Sequence, residues 1–98
     1  MRFHEALGEV IREQRLAKGL SLRAVSKTGY VSMGHLSDVE NARKEGSSSF
    51  IDGVAKGLGV NAYDLIIEAG YRMASGEVES AFERSELWHN QYQDLVSQ

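Results

Sequence analysis

Apolar side chains recur at intervals of three and four residues through most of the chain, which is the spacing of the inner face of a helix. The absence of proline suits a series of helices joined by glycine turns. The chain is therefore expected to be all-α. The pattern predicts helices at about residues 4–18, 22–28, 33–41, 48–58 and 62–74.

Residues that favour helix ends stand at the predicted boundaries. Ser21, Ser32 and Asn61 are suitable N-caps because their side-chain oxygens can accept the free N–H groups of a first turn. Gly19 and Gly59 follow helices in the way that C-cap glycines do. The caps therefore agree with the periodicity.

Two pairs of residues indicate how the helices pack. Leu36 and Val39 lie on the inner face of the third helix and leave its opposite face free. Gly53 and Gly57 lie one turn apart in the fourth helix, where each costs roughly 1 kcal/mol relative to alanine. Because they share a face, we expect another helix to approach closely there.

The segment after a hinge at Ser75 and Gly76 carries a heptad-like apolar stripe, which predicts a further C-terminal helix at about 77–97. This helix is interpreted as a dimerisation element. The alternative is that it folds back onto its own domain, and a disordered tail is disfavoured because such tails contain few aromatic residues. Its anchors would be Phe82, Trp88, Tyr92 and Leu95.

Composition restricts the class of protein. The chain has 98 residues, 42% of them hydrophobic, which is enough for one small domain with an appended element. The lack of cysteine excludes disulfides and thiolate metal sites. No apolar run approaches the ~20 residues of a transmembrane helix, and the N-terminus lacks the pattern of a signal peptide. We therefore expect a cytoplasmic protein without membrane contact.

Charge is distributed unevenly along the chain, whose net charge is −3. Residues 1–60 hold nine Lys or Arg against seven Asp or Glu, whereas residues 61–98 hold two against seven. The first part can approach a polyanion, and the acidic remainder would face away from it or bind a protein partner. Charge thus permits nucleic-acid binding without establishing it.

The sequence lacks the patterns of catalytic and metal sites. His4, His35 and His89 do not have the spacing of metal ligands on one helix face. His35, Ser37 and Asp38 are close in sequence, but neighbours on one helix cannot arrange as base, nucleophile and orienting residue. There is also no phosphate-binding loop or dinucleotide fingerprint. We expect no enzyme activity, no metal and no cofactor.

The run LGEVIREQRLAKGLSLRAVSKTGYVSMGHLSDVENARK resembles the XRE, or lambda-repressor-like, helix-turn-helix family, and the likeness covers about residues 6–70. The segments GHLSDVENARKEGSS and IIEAGYRMA are similar to those of ClgR-type actinobacterial transcription regulators. The resemblance implies a five-helix DNA-binding domain at 4–74, followed by the helix at 77–97. The positions shared with the XRE family are Ile11, Arg15, Gly19, Leu20, Ser21, Val31, Ser32, Leu36, Ser37 and Glu40.

The resemblance places the third helix in the major groove of DNA, with its exposed side chains on base edges. His35 would lie at the rim of this surface. The alternative is that Met33 packs in the core and that Ser37 only satisfies a backbone carbonyl. The residues assigned to base contacts are Ser32, Met33, Gly34, Ser37 and Asp38.

The resemblance also implies roles for charged residues around that helix. Arg15 and Glu40 match family positions that form a partly buried ion pair, and Arg15 has a possible phosphate role as well. This chain departs from the family at Ala42, where glycine is frequent, and at Leu22, where glutamine is frequent. The residues assigned to phosphate contacts, each with an ordinary solvated charge as the alternative, are Arg23, Lys27, Arg43 and Lys44.

Two functions follow as hypotheses. The first is a transcription regulator that binds double-stranded DNA as a homodimer on a pseudo-palindromic operator, in the cytoplasm and associated with the nucleoid. The second is an antitoxin or phage-encoded regulator whose main role is a protein–protein interaction through the acidic C-terminal region.

Overall fold

The computed structural model describes residues 1–74. No strand occurs in this range, and each helix begins and ends within one residue of its predicted bounds, so the all-α prediction is confirmed. Within the same range, no helix is both long and apolar enough to span a bilayer. The expected helix at 77–97, with Phe82, Trp88, Tyr92 and Leu95, lies outside the described residues. The helices are α1 (Phe3–Ala17), α2 (Leu22–Gly29), α3 (Met33–Glu40), α4 (Ser48–Leu58) and α5 (Ala62–Ala74).

Serine side chains cap the N-termini of α2, α3 and α4. Ser21 Oγ accepts a hydrogen bond from the backbone N–H three residues later at 3.0 Å. Ser32 and Ser47 make the same contact at 3.2 Å. Each hydroxyl satisfies a backbone donor that has no partner within its own helix, so these turns fix where the helices start.

Four helices are followed by a residue with left-handed backbone angles. Gly19 (φ 67°) and Gly59 (φ 73°) occupy this position after α1 and α4, as predicted. After α2 and α3 the position is held by Tyr30 (φ 55°) and Ala42 (φ 58°). A side chain in this conformation costs roughly 1–2 kcal/mol, so α3 has a strained turn on both sides.

The helices enclose one core of aliphatic side chains completed by Phe50. Helix α1 packs against α5 and α3, and α2 packs against α4. Leu36 and Val39 hold the inner face of α3 in this core, as the periodicity predicted. The remaining core residues are Ala6, Leu7, Val10, Ile11, Val25, Ile51, Val54, Ala55, Leu58, Leu65 and Ala69.

Glycines allow α2 and α4 to approach each other closely. A Cβ atom at Gly29 would lie 2.1 Å from the carbonyl oxygen of Gly53. A Cβ atom at Gly57 would lie 2.5 Å from the carbonyl oxygen of Val25. The close helix approach predicted at Gly53 and Gly57 is therefore confirmed, and it offsets the low helix propensity of glycine.

Candidate nucleic-acid interface

Helix α3 has one face in the core and one face towards solvent. Leu36 and Val39 are buried, whereas Ser32, Met33 and Gly34 of the cap and first turn are exposed. Met33 is 43% exposed, which excludes the alternative that it packs in the core. The first turn of α3 is therefore accessible to a large ligand.

Two serine hydroxyls, one at the N-cap of α3 and one within it, keep hydrogen-bonding capacity for a ligand. Ser32 Oγ accepts the N–H of His35 as the helix cap, which leaves the hydroxyl proton to be donated elsewhere. Ser37 is half-buried, and its backbone carbonyl accepts the side-chain amide of Asn41 at 2.8 Å. Within residues 1–74 the Ser37 hydroxyl itself forms no hydrogen bond, so it is available on this surface.

His35 joins α3 to the following loop and to α4. Its ring lies against Phe50, with the ring centroids 4.2 Å apart. Its Nε2 lies 3.3 Å from the carbonyl oxygen of Glu45, so this nitrogen carries the proton in the contact. Within residues 1–74 no three potential metal ligands are grouped together, and the contacts of His35 are those of a packing residue at the rim of α3.

Asp38, Arg43 and Lys44 form a group of charges at the C-terminal end of α3, called here the Asp38 cluster. Arg43 Nε donates to Asp38 Oδ1 at 3.0 Å, and Lys44 Nζ lies 3.5 Å from Asp38 Oδ2. The hydrogen bond from Arg43 lowers the pKa of Asp38, and the charges of both basic residues act in the same direction. Residues assigned from the sequence to base and phosphate contacts thus contact one another in the free protein.

The turn after α3 creates the Asp38 cluster. Ala42 takes left-handed angles, and the Arg43 N–H donates to the carbonyl oxygen of Asp38 at 2.8 Å. In this type of helix end the chain folds back so that the third residue after the helix returns to its last turn. Sequence analysis missed the pairing, although the frequent glycine at the Ala42 position in the family was a signal for such a turn.

Arg15 and Glu40 form a bidentate ion pair between α1 and α3. Arg15 Nε donates to Glu40 Oε2 at 2.7 Å, and the terminal nitrogen Nη2 donates to Oε1 at 3.0 Å. A third donor of Arg15 reaches the carbonyl oxygen of Leu20 at 2.9 Å. The hydrogen bond with Glu40 raises the pKa of Arg15. This pair fixes the end of α3 against α1.

Other basic residues are exposed on α2 and α4. Arg23 and Lys27 are exposed on α2. Sequence analysis missed Tyr30 and Lys56: the tyrosine is 87% exposed in the turn before α3, and Lys56 Nζ lies 5.4 Å from the centre of its ring. The predicted end of the second helix near residue 28 indicated a break at this point but not that an aromatic residue would occupy the left-handed position.

Helix α5 combines an anchored face with an exposed apolar face. Arg72 contacts Glu9 at 3.4 Å and also pairs with Glu13, both on α1. The hydrogen bond from Arg72 lowers the pKa of Glu13. These ion pairs orient α5, which leaves its large exposed side chains on the surface: Tyr63, Ile66, Ile67, Tyr71 and Met73.

Comparison with known proteins places the chain among bacterial regulators, although no protein-family model matches the sequence. The transcriptional regulator ClgR of Mycobacterium tuberculosis (strain H37Rv) is 40% identical over 73 residues, or 74% of this chain. The chain spans 65% of the length of that relative. A crystal structure of the clp gene regulator ClgR from Corynebacterium glutamicum is 36% identical, with a TM-score of 0.72, and the match covers 91% of this chain and 95% of that one. The chain belongs to the ClgR family of transcriptional regulators.

Membership of the ClgR family confirms the predicted resemblance to ClgR-type and XRE-like helix-turn-helix regulators. A second structure of the Corynebacterium glutamicum regulator is 40% identical, with a TM-score of 0.70, and covers 76% of this chain and 97% of that one. The restriction-modification controller protein C.AhdI from Aeromonas hydrophila has the same fold: it is 26% identical, with a TM-score of 0.61, and covers 63% of this chain and 94% of that one. The ClgR relatives are transcriptional regulators and not enzymes, in agreement with the prediction.

Proposed function

We propose that the chain is a sequence-specific transcription regulator that binds double-stranded DNA through α3. The observation that carries the proposal is the division of α3 into a face held by Leu36 and Val39 and an accessible first turn. A helix fits into the major groove, where each base pair presents a distinct set of donors and acceptors. Membership of the ClgR family supports the same function.

Five positions, the N-cap of α3 and four within the helix, are proposed to contact base edges. Ser32 and Ser37 donate or accept hydrogen bonds, and Asp38 accepts one from a cytosine amino group. Met33 meets a thymine methyl group, and Gly34 lets the protein backbone approach the bases. The exposure of Ser32, Met33 and Gly34 supports this assignment.

Basic residues around α3 are proposed to contact phosphates and to supply affinity without sequence preference. Arg23 lies in the first turn of α2, where backbone N–H groups add to the attraction for a phosphate. Arg15 is proposed to act structurally, because its donors already bind Glu40 and the Leu20 carbonyl. The phosphate-contacting residues, all exposed, are Arg23, Lys27, Arg43 and Lys44.

Dimerisation on a pseudo-palindromic operator follows from the small number of base pairs that one α3 can reach. Two copies would read half-sites about one helical turn apart, which is how helix-turn-helix proteins usually gain specificity. The exposed apolar residues of α5 support a homodimer, and the segment 77–97 is proposed to extend that interface. A regulator that acts on chromosomal DNA would work in the cytoplasm, at the nucleoid.

Selection from a random duplex library, read by gel shift, tests the base contacts. We expect enrichment of a pseudo-palindrome. Ser37→Ala is expected to cost about 1–3 kcal/mol at the matched base pair and to change the preferred sequence, because a hydrogen bond to a base edge is lost. Absence of enrichment would argue against the proposed function, and an unchanged preference in Ser37→Ala would argue against α3 as the reading helix.

The double variant Arg43→Ala/Lys44→Ala is the matched control for Ser37→Ala. It removes charges outside the proposed base-contacting set, so it should weaken binding to all duplexes without changing which sequence is preferred. The dependence of log affinity on log salt concentration should become shallower by about one unit per lost phosphate contact. A changed sequence preference in Ser37→Ala, together with an unchanged preference and a shallower salt dependence in the double variant, would separate base contacts from phosphate contacts.

Sedimentation velocity tests the homodimer. The full chain is expected to sediment as a dimer, and truncation after Gly76 is expected to leave a folded monomer, with helix content measured by circular dichroism. A monomeric full chain, or a truncated chain that dimerises with unchanged affinity, would remove the proposed role of segment 77–97.

A further inference from the structure

We propose that Asp38 acts as an internal competitor of DNA: its carboxylate holds Arg43 and Lys44 in the free protein and so restrains their binding to phosphates. This inference rests on the proposed DNA binding and adds to it a device that suppresses binding to unmatched sequences. The partner that replaces Asp38 at the two cations is the phosphate backbone of a duplex.

The two oxygens of Asp38 contact different cations. Oδ1 accepts from Arg43 Nε at 3.0 Å, and Oδ2 lies 3.5 Å from Lys44 Nζ. The side chain of Asp38 is 28% exposed, whereas those of Arg43 and Lys44 are 61% and 64% exposed. The carboxylate therefore lies on the protein side of the group, and the two cations lie on the side that a duplex approaches.

The backbone builds this arrangement, so it does not depend on a chance meeting of long side chains. The left-handed angles at Ala42 return the chain towards α3, and Arg43 N–H donates to the Asp38 carbonyl oxygen at 2.8 Å. Asp38 and Arg43 are thus joined by one backbone and one side-chain hydrogen bond. The Asp38 carboxylate therefore already lies beside the loop of Arg43 and Lys44 in the protein without DNA.

Binding of DNA changes the balance around Asp38. When Arg43 and Lys44 move to phosphates, the carboxylate loses its partners while it faces a polyanion. A cytosine amino group at the matched position can replace them, since cytosine presents this donor in the major groove. On other sequences the carboxylate either stays unpaired or keeps Arg43 and Lys44 away from the DNA phosphates. Either outcome weakens binding. Asp38 therefore couples the contacts with DNA phosphates to the identity of a base.

Asp38→Asn in the full chain tests the inference. Fluorescence anisotropy would measure affinity for a random-sequence duplex and for the duplex selected by the wild type, across a series of salt concentrations. Affinity for the random duplex is expected to rise by about three- to tenfold at low salt, because exposed ion pairs of this kind shift an equilibrium by a few-fold each. The salt dependence should steepen by up to about one unit, and the ratio of specific to non-specific affinity should fall.

Glu45→Gln is the charge-matched control. Glu45 stands beside Lys44 in the same loop, but its Oε1 lies 3.8 Å from Nδ1 of His4 and so belongs to a different contact. A rise in random-duplex affinity for Asp38→Asn but not for Glu45→Gln supports the proposal. An equal rise in both variants, or no rise in either, overturns it. Asp38→Ser removes the same carboxylate and must reproduce the result.

An NMR measurement in the absence of DNA tests the contact between Asp38 and Arg43 independently of the proposed DNA binding. The NMR resonance of the Arg43 Nε–H group should move in Asp38→Asn and stay in place in Glu45→Gln. If the resonance behaves in this way but the wild type binds no duplex, the proposed function fails and the inference falls with it. If the wild type binds duplexes and Asp38→Asn leaves random-duplex affinity unchanged, only the inference fails.

Discussion

Asp38 and Glu40 lie two residues apart on α3 and both bind an arginine, but the two ion pairs have different surroundings. Glu40 accepts two hydrogen bonds from Arg15, and the two side chains are 4% and 12% exposed. Asp38 accepts one hydrogen bond from Arg43, whose side chain is mostly in solvent. Residues two apart point to different sides of a helix. One carboxylate–arginine pair therefore lies against α1, and the other lies on the surface.

Burial decides what each pair contributes. Two charges removed from water are costly, and losing one of them leaves the other without compensation, so a buried pair fixes the relative position of its two elements. An exposed pair contributes little to stability and exchanges its partners readily with other ions. Arg15–Glu40 therefore holds α3 on the protein, whereas the Asp38 cluster remains able to respond to a phosphate.

The largest effect is expected for Glu40→Gln, which leaves the Arg15 guanidinium without an opposite charge between α1 and α3. Breaking a buried pair in this way should lower the free energy of unfolding by about 3 kcal/mol, a large part of the total for a small domain. Urea denaturation followed by circular dichroism measures the loss.

Asp38→Asn is the matched control for Glu40→Gln, since it also neutralises one carboxylate of α3. Because its partners are in solvent, the urea midpoint should change far less than in Glu40→Gln. Equal losses in the two variants would show that burial does not distinguish the two pairs.

The fold and the buried pair could be predicted from the sequence, whereas the exposed cluster was indicated only indirectly, by the frequent glycine of the family at the Ala42 position. Leu36 and Val39 set the orientation of α3 by their spacing, and the match to a known family marked Arg15 and Glu40 as partners. The contact of Asp38 with Arg43 depends on one backbone conformation at Ala42, where an alanine adopts angles that usually favour glycine. Periodicity carries no information on such a residue. For the same reason the exposed ring of Tyr30, also at positive φ, was missed.

An intermediate effect is expected for Ala42→Gly, which relieves the strain in the turn that carries the exposed cluster. Glycine removes the steric penalty of left-handed angles but adds conformational freedom to the unfolded chain, so the net stabilisation should be about 0.5–1 kcal/mol. Thermal denaturation would show a small rise in Tm.

Ala24→Gly provides the control for Ala42→Gly, because Ala24 lies inside α2 with ordinary helical angles. There the same replacement should destabilise the protein by about 1 kcal/mol. A loss of stability in both variants would mean that the turn after α3 is not strained by Ala42.

The smallest effect on stability is expected from the titration of Asp38, and it isolates the exposed pair from the buried one. Arg43 lowers the pKa of Asp38 in the folded protein. The pair therefore stabilises the fold above the pKa that Asp38 has in the unfolded chain, and this contribution is lost as the pH falls through the lower pKa of the folded state. An NMR titration of the Asp38 carboxyl carbon should give a higher pKa in Arg43→Ala than in the wild type. High salt should raise the pKa of the wild type in the same direction, because ions screen an exposed pair. A carboxyl pKa that is insensitive to both Arg43→Ala and salt would mean that Asp38 does not hold the arginine in solution, and the contrast with Arg15–Glu40 would then rest on the buried pair alone.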